Sequence, residues 1–116
     1  MPAQRVIGVD LGGTKILAGV VTSEGGVEHH REVPTPLESQ AALLDGLETA
    51  VREVLDGDIA AIGFGLPSRV DQRTGRVEGK AVNVPLGGSE LPRLMSERFG
   101  LPVGVENDES ALWLFA

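Results

Sequence analysis

The sequence predicts an α/β domain with a five-stranded mixed sheet and the element order β-β-β-α-β-α-β-α. Three observations predict it. Val- and Ile-rich runs at 6–11 and 16–21 flank Gly12-Gly13, as the two strands of a hairpin would. Residues 38–55 carry Leu43, Leu47, Val51 and Val54 or Leu55 at a 3.6-residue period, the stripe of an amphipathic helix. Ile59-Ala60-Ala61-Ile62-Gly63-Phe64-Gly65 is an unbroken run of apolar and small residues, the mark of a strand covered on both faces.

Taken in order, the first two strands need a tight turn, and Gly12-Gly13 is expected to supply positive φ angles there. Residues 22–26 make a second turn and residues 27–33 a third, more exposed strand. Three strands joined by short turns pair antiparallel. His29 and His30 are adjacent, so on a regular strand they face opposite sides and cannot share a metal; a solvated edge accounts for them. Pro34-Thr35-Pro36 breaks that strand ahead of the helix, in which Gly46 costs roughly 1 kcal/mol against Ala. Asp56-Gly57-Asp58 ends the helix.

The strand at 59–65 follows a crossover helix and is therefore expected to lie parallel beside the first. Residues 67–79 read as a small hairpin or an ordered loop, and 83–88 show no periodicity. Ser89 reads as the N-cap of a second helix, with Pro92 in the first turn, Leu91, Met95 and Phe99 on one face and Gly100 at the end. Residues 101–106 make a fifth, parallel strand, and Asn107 or Asp108 caps a last helix over 109–116. With Leu112, Trp113, Leu114 and Phe115 and no polar face, that helix is expected either to be buried in this domain or to pack on something outside the chain. A truncated chain, and association of copies through this helix, are the expectations.

At 116 residues the chain is one domain near the small end of the range. Its net charge of −7 disfavours nucleic acid and anionic membrane surfaces as direct partners. It has no Cys, which excludes disulfides, thiolate chemistry and cysteine zinc sites and fits a reducing compartment. The N-terminus has no signal-peptide pattern and no apolar run reaches 18 residues, so a cytoplasmic protein is expected.

The chemistry gathers around the first turn. Asp10 ends the first strand, and Gly12, Gly13, Thr14 and Lys15 follow it. Bare backbone N–H groups beside a lysine suit an anion, and a nearby carboxylate can hold Mg²⁺ through water. A nucleotide phosphate cradle and a plain hairpin with a polar tip both fit these residues. Two other phosphate motifs are excluded: there is no G-x-x-x-x-G-K-[ST] string, and the run from Gly63 to Ser68 ends in Ser and meets Pro67 instead of opening a helix. In an open α/β sheet, ligands bind at the carboxyl ends of parallel strands. Asp10, residues 12–15, residues 65–68, Asn107 and Asp108 are thus expected along one cleft. An aspartate at a helix N-terminus stays ionised and can accept a proton from an alcohol, although such a residue is more often simply a cap.

Asp10-Leu11-Gly12-Gly13-Thr14-Lys15 resembles the first phosphate motif of the ROK family, bacterial sugar kinases with an actin-like ATPase (ribonuclease H-like) fold. Residues 63–71 are similar to that family's glycine-proline sugar loop, Asn83-Val84-Pro85 to its Asn-bearing loop, and residues 105–111 to its catalytic segment. The resemblance implies ATP-dependent phosphorylation of a hexose hydroxyl, glucokinase-like, with Asp108 as general base and Gly65, Asn83, Asn107 and Asp108 at the sugar. Gly12, Gly13, Thr14 and Lys15 would meet the ATP phosphates, with Asp10 near Mg²⁺. It departs from the family pattern at Ser68 and at Glu109-Ser110.

The same resemblance covers only the smaller, N-terminal lobe, residues 1–116. The second lobe, with its adenosine pocket and any structural zinc, is expected outside this chain, and the isolated lobe is expected to be inactive. A sugar-binding module, a relic, or a ROK-type sugar-responsive regulator are the alternatives. The sugar, and ATP against polyphosphate as donor, stay open at this level.

Overall fold

The computed structural model describes residues 4–22, 24–66, 70–71, 73–74, 76–77 and 90–107. The elements run β1 (Arg5–Leu11), β2 (Lys15–Thr22), β3 (Val27–Pro34), α1 (Gln40–Val54), β4 (Ile62–Leu66), a small β5–β6 hairpin (Val70–Asp71, Arg76–Val77), α2 (Leu91–Phe99) and β7 (Val103–Asn107). Five strands form one sheet in the order β3-β2-β1-β4-β7. The β1–β2 and β2–β3 pairs are antiparallel, β1–β4 and β4–β7 parallel, as the crossover argument requires. The expected last helix, and Asn83 and Asp108, lie outside the described residues.

Alternation along the strands sorts the sheet into two faces. Ile7, Val9 and Leu11 of β1 stand in register with Val20, Ala18 and Ile16 of β2, and Val9 with Phe64 of β4, which faces Val105 of β7. All are buried beneath α1 and α2 in one cluster that also takes in Leu43, Leu47, Val51, Leu91 and Met95. Helix α1 begins at Ser39, whose side chain accepts from the Ala42 N–H at 3.0 Å, a cap the stripe alone did not reveal. Of Val54 and Leu55, the stripe takes Val54: Leu55 is the extended C-cap and 38% exposed. Gly57 carries a positive φ of 60° just beyond.

Two local expectations are corrected. The N-cap of α2 is Glu90, without a side-chain cap bond, and the expected cap Ser89 lies outside the described residues; Gly100 closes the helix at φ 67° as expected. In β3 the register shifts by one residue opposite Ala18–Val20, and His29 takes φ 50°. That bulge interrupts the strict alternation assumed for His29 and His30. Both remain exposed, and His29 Nε2 lies 2.9 Å from Asp56 Oδ2.

The two helices share one face of the sheet and are tied by charge. Arg98 of α2 donates to Asp45 at 3.0 Å and to Glu48 at 2.8 Å on α1, and Arg52 reaches both Glu48 and the Phe99 ring, 4.9 Å from its centroid. The hydrogen bond from Arg52, joined by that from Arg98 and partly opposed by desolvation, holds the Glu48 carboxyl below its ordinary value of 4.5. A depressed carboxylate stabilises the fold above its unfolded-state value and loses that contribution as pH falls through the folded one. Thermal melts should therefore show Glu48→Gln below wild type at pH 7, with the gap closing under pH 4.5. A gap of the same size at pH 3 would exclude this origin.

Candidate active site

The carboxyl edge of the sheet gathers several of the residues that the sequence singles out. Asp10 stands in register with Gly65, and Gly65 with Glu106, so one row crosses the carboxyl ends of β1, β4 and β7. Asn107, in register with Leu66, is one residue further along. Asp10 and β7 are two strand spacings apart, about 10 Å. The Gly12–Lys15 turn leaves the same edge directly after β1. The structure thus brings together Asp10, Gly12, Gly13, Thr14, Lys15, Gly65 and the backbone of Asn107.

Asp10 is half-buried on the sheet face opposite the helices, since its neighbours Val9 and Leu11 point into the core. On that face the register aligns four glycines, Gly19, Gly8, Gly63 and Gly104, one on each of four adjacent strands. Gly65 adds a fifth beside Asp10, so no Cβ stands against the carboxylate from β4. In one dimension these glycines are scattered; only pairing aligns them.

The turn differs from expectation in its physics. Among the described residues the glycines with positive φ are Gly25, Gly57 and Gly100; Gly12 and Gly13 are not among them. What demands glycine at position 12 is close backbone approach. The Gly12 N–H donates to the Lys15 carbonyl at 3.0 Å, and a Cβ added at Gly12 would lie 3.0 Å from that same oxygen. A turn without side chains at 12 and 13, followed by the exposed Thr14 and Lys15, fits a phosphate chain laid along the backbone. Lys15 is 63% exposed, and its Nζ sits 3.0 Å from Glu32 Oε1 on the neighbouring strand. At that exposure the pair is weak, so an incoming polyanion can compete for the ammonium.

Residues after β3, read from sequence only as a strand break, turn out to brace this turn. The Thr35 hydroxyl donates to the Gly12 carbonyl at 2.9 Å and the Thr35 N–H to the Thr14 carbonyl at 3.0 Å. Pro36 beside it packs on Gly46 of α1, where an added Cβ would meet the Pro36 ring at 2.7 Å. The Pro-Thr-Pro string was a signal of sorts, but nothing in it points back to residue 12.

The sheet order is that of the actin-like ATPase fold, α/β with a five-stranded mixed sheet. The chain belongs to the ROK family, whose model matches residues 6–114. It is 41% identical over 106 residues to the glucokinase of Streptomyces coelicolor, an alignment covering 90% of this chain and 33% of that protein. To the N-acetyl-D-glucosamine kinase of Shigella flexneri it is 34% identical over 110 residues, covering 92% of this chain and 36% of that one. Its fold matches the ROK family glucokinase of Streptomyces griseus, solved in complex with glucose and AMPPNP, with a TM-score of 0.81 and 38% identity over 89% of this chain and 33% of that chain. The chain therefore spans about a third of the length of these relatives.

Proposed function

We propose that the protein carrying this chain is a glucokinase-like hexose kinase, moving the terminal phosphoryl group of ATP onto a sugar hydroxyl. The carrying observation is the convergence of the Gly12–Lys15 turn, Asp10, Gly65 and Asn107 on one sheet edge, in a chain 41% identical to a glucokinase. Residues 1–116 form the smaller lobe in this reading, and a second lobe supplies the adenosine pocket and the other wall of the cleft.

The backbone of Gly12 and Gly13, with Thr14 and Lys15, holds the nucleotide phosphates; Gly12 fits because a side chain there would crowd the Lys15 carbonyl. Asp10 is the residue that would hold Mg²⁺, through water, and the bound ion supplies charge neutralisation on the phosphates. Gly65, Asn83 and Asn107 hold the sugar. Asp108 accepts the proton of the attacking hydroxyl as its oxygen bonds to the γ-phosphorus and the bond to ADP breaks. The protein contributes mainly position and charge complementarity, as phosphoryl transfer asks. A cytoplasmic protein handling free sugar and nucleotide, without nucleic acid or membrane partners, completes the reading; among the described residues no helix is long and apolar enough to cross a membrane.

The test is sugar-dependent ADP release by the full-length natural protein, across glucose, N-acetylglucosamine, N-acetylmannosamine and fructose, with ATP and with polyphosphate. Release with at least one hexose is expected. ADP release that no sugar accelerates, with no phosphorylated sugar detected by either donor, would end the kinase reading.

A further inference from the structure

We infer that Thr35 is a positioning residue for the nucleotide site: it sets the direction of the peptide groups in the Gly12–Lys15 turn. The inference rests on the phosphate-binding reading of that turn. Thr35 donates twice to it, from its hydroxyl to the Gly12 carbonyl at 2.9 Å and from its N–H to the Thr14 carbonyl at 3.0 Å. The turn's own described backbone bond, Gly12 N–H to the Lys15 carbonyl, closes its base and leaves the orientation of the peptide between residues 12 and 13 unset.

A trans peptide is planar, with its carbonyl and N–H pointing in opposite directions. No cis peptide occurs among the described residues, so drawing the Gly12 carbonyl toward Thr35 turns the Gly13 N–H away from it. That matters because two consecutive glycines constrain the peptide between them less than any other pair would. An N–H aimed at a phosphate is useful only if it is already aimed before the ligand arrives. Thr35 is itself held. Its neighbour Pro34 pairs with Lys15 across the β2–β3 ladder, and Pro36 is wedged on Gly46 of α1. The brace therefore runs from helix α1 through Pro36 and Thr35 to the turn.

The hydroxyl can be removed without changing the shape of the side chain, and the backbone bond to Thr14 survives that change. In the full-length natural protein, Thr35→Val is expected to weaken AMPPNP binding in a direct titration by roughly three- to tenfold. The KM for ATP should rise by a similar factor while the KM for sugar stays within twofold. Thr35→Ser, which keeps the donor, should restore both.

An unchanged AMPPNP affinity in Thr35→Val would overturn the inference. So would equal rises in both KM values with a lowered melting temperature that Thr35→Ser does not restore, because that is loss of structure. Failure of the wild-type protein to bind AMPPNP would overturn it too. Binding without sugar phosphorylation would instead overturn the kinase reading and leave the Thr35 comparison standing in the titration.

Discussion

Asp108→Asn is expected to lower the kcat for sugar phosphorylation by about 10²–10⁴-fold, the contribution typical of a positioned general base. Residue 108 directly follows β7, whose last residue, Asn107, lies one step beyond the row shared by Asp10 and Gly65. Asn has the same shape as Asp and caps helices as well, so the change removes a proton acceptor and little else. The diagnostic is a split between constants. The KM for sugar and the affinity for AMPPNP should move only a few-fold, because an interaction made as the proton leaves acts on kcat. The melting temperature should not move. A kcat within tenfold of wild type would mean that another group takes the proton, and the carry-over of that role to Asp108 would fall.

Gly46→Ala is expected to destabilise the protein by up to about 2 kcal/mol, against the direction that helix propensity predicts. Within α1, replacing Gly by Ala alone should gain about 1 kcal/mol. The gain is cancelled by space. An added Cβ would lie 2.7 Å from Cγ and 2.8 Å from Cδ of Pro36, in a ring that cannot rotate aside, and overpacking of this kind costs about 1–3 kcal/mol. Relief has to come from moving α1 off the sheet or from moving Pro36, and Pro36 carries Thr35 with it. A lowered melting temperature should therefore come with a weakened nucleotide affinity. A stabilised Gly46→Ala variant would show that the Pro36 contact yields easily, and that propensity decides this site.

Much of this was legible because it repeats along the chain. The Val- and Ile-rich runs of the first hairpin, the 3.6-residue stripe through Leu43, Leu47, Val51 and Val54, and the buried run ending in Phe64-Gly65 each report their own element. Right-handed crossovers then order the strands without further information. Boundaries slipped where a cap decides them: Glu90 at the start of α2 makes no side-chain bond, so no residue type there announces it. At Gly12 close backbone approach, not a positive φ, accounts for the glycine. Glycine's freedom in φ and its lack of a Cβ leave the same letter in a sequence, and only the 3.0 Å approach of the Lys15 carbonyl separates them.

The sequence by itself determined the α/β class, the core stripe and the cluster of candidate site residue types from Asp10 to Lys15, because each depends on neighbours within a turn or a strand, and the strand order followed from the handedness of crossovers. Tertiary structure alone decided the alignment of Gly8, Gly19, Gly63 and Gly104, the bulge at His29, the wedge of Pro36 on Gly46 and the grip of Thr35 on Gly12. Those contacts join residues from about ten to about fifty-five positions apart. Their partners are chosen by register and packing, which no local pattern encodes.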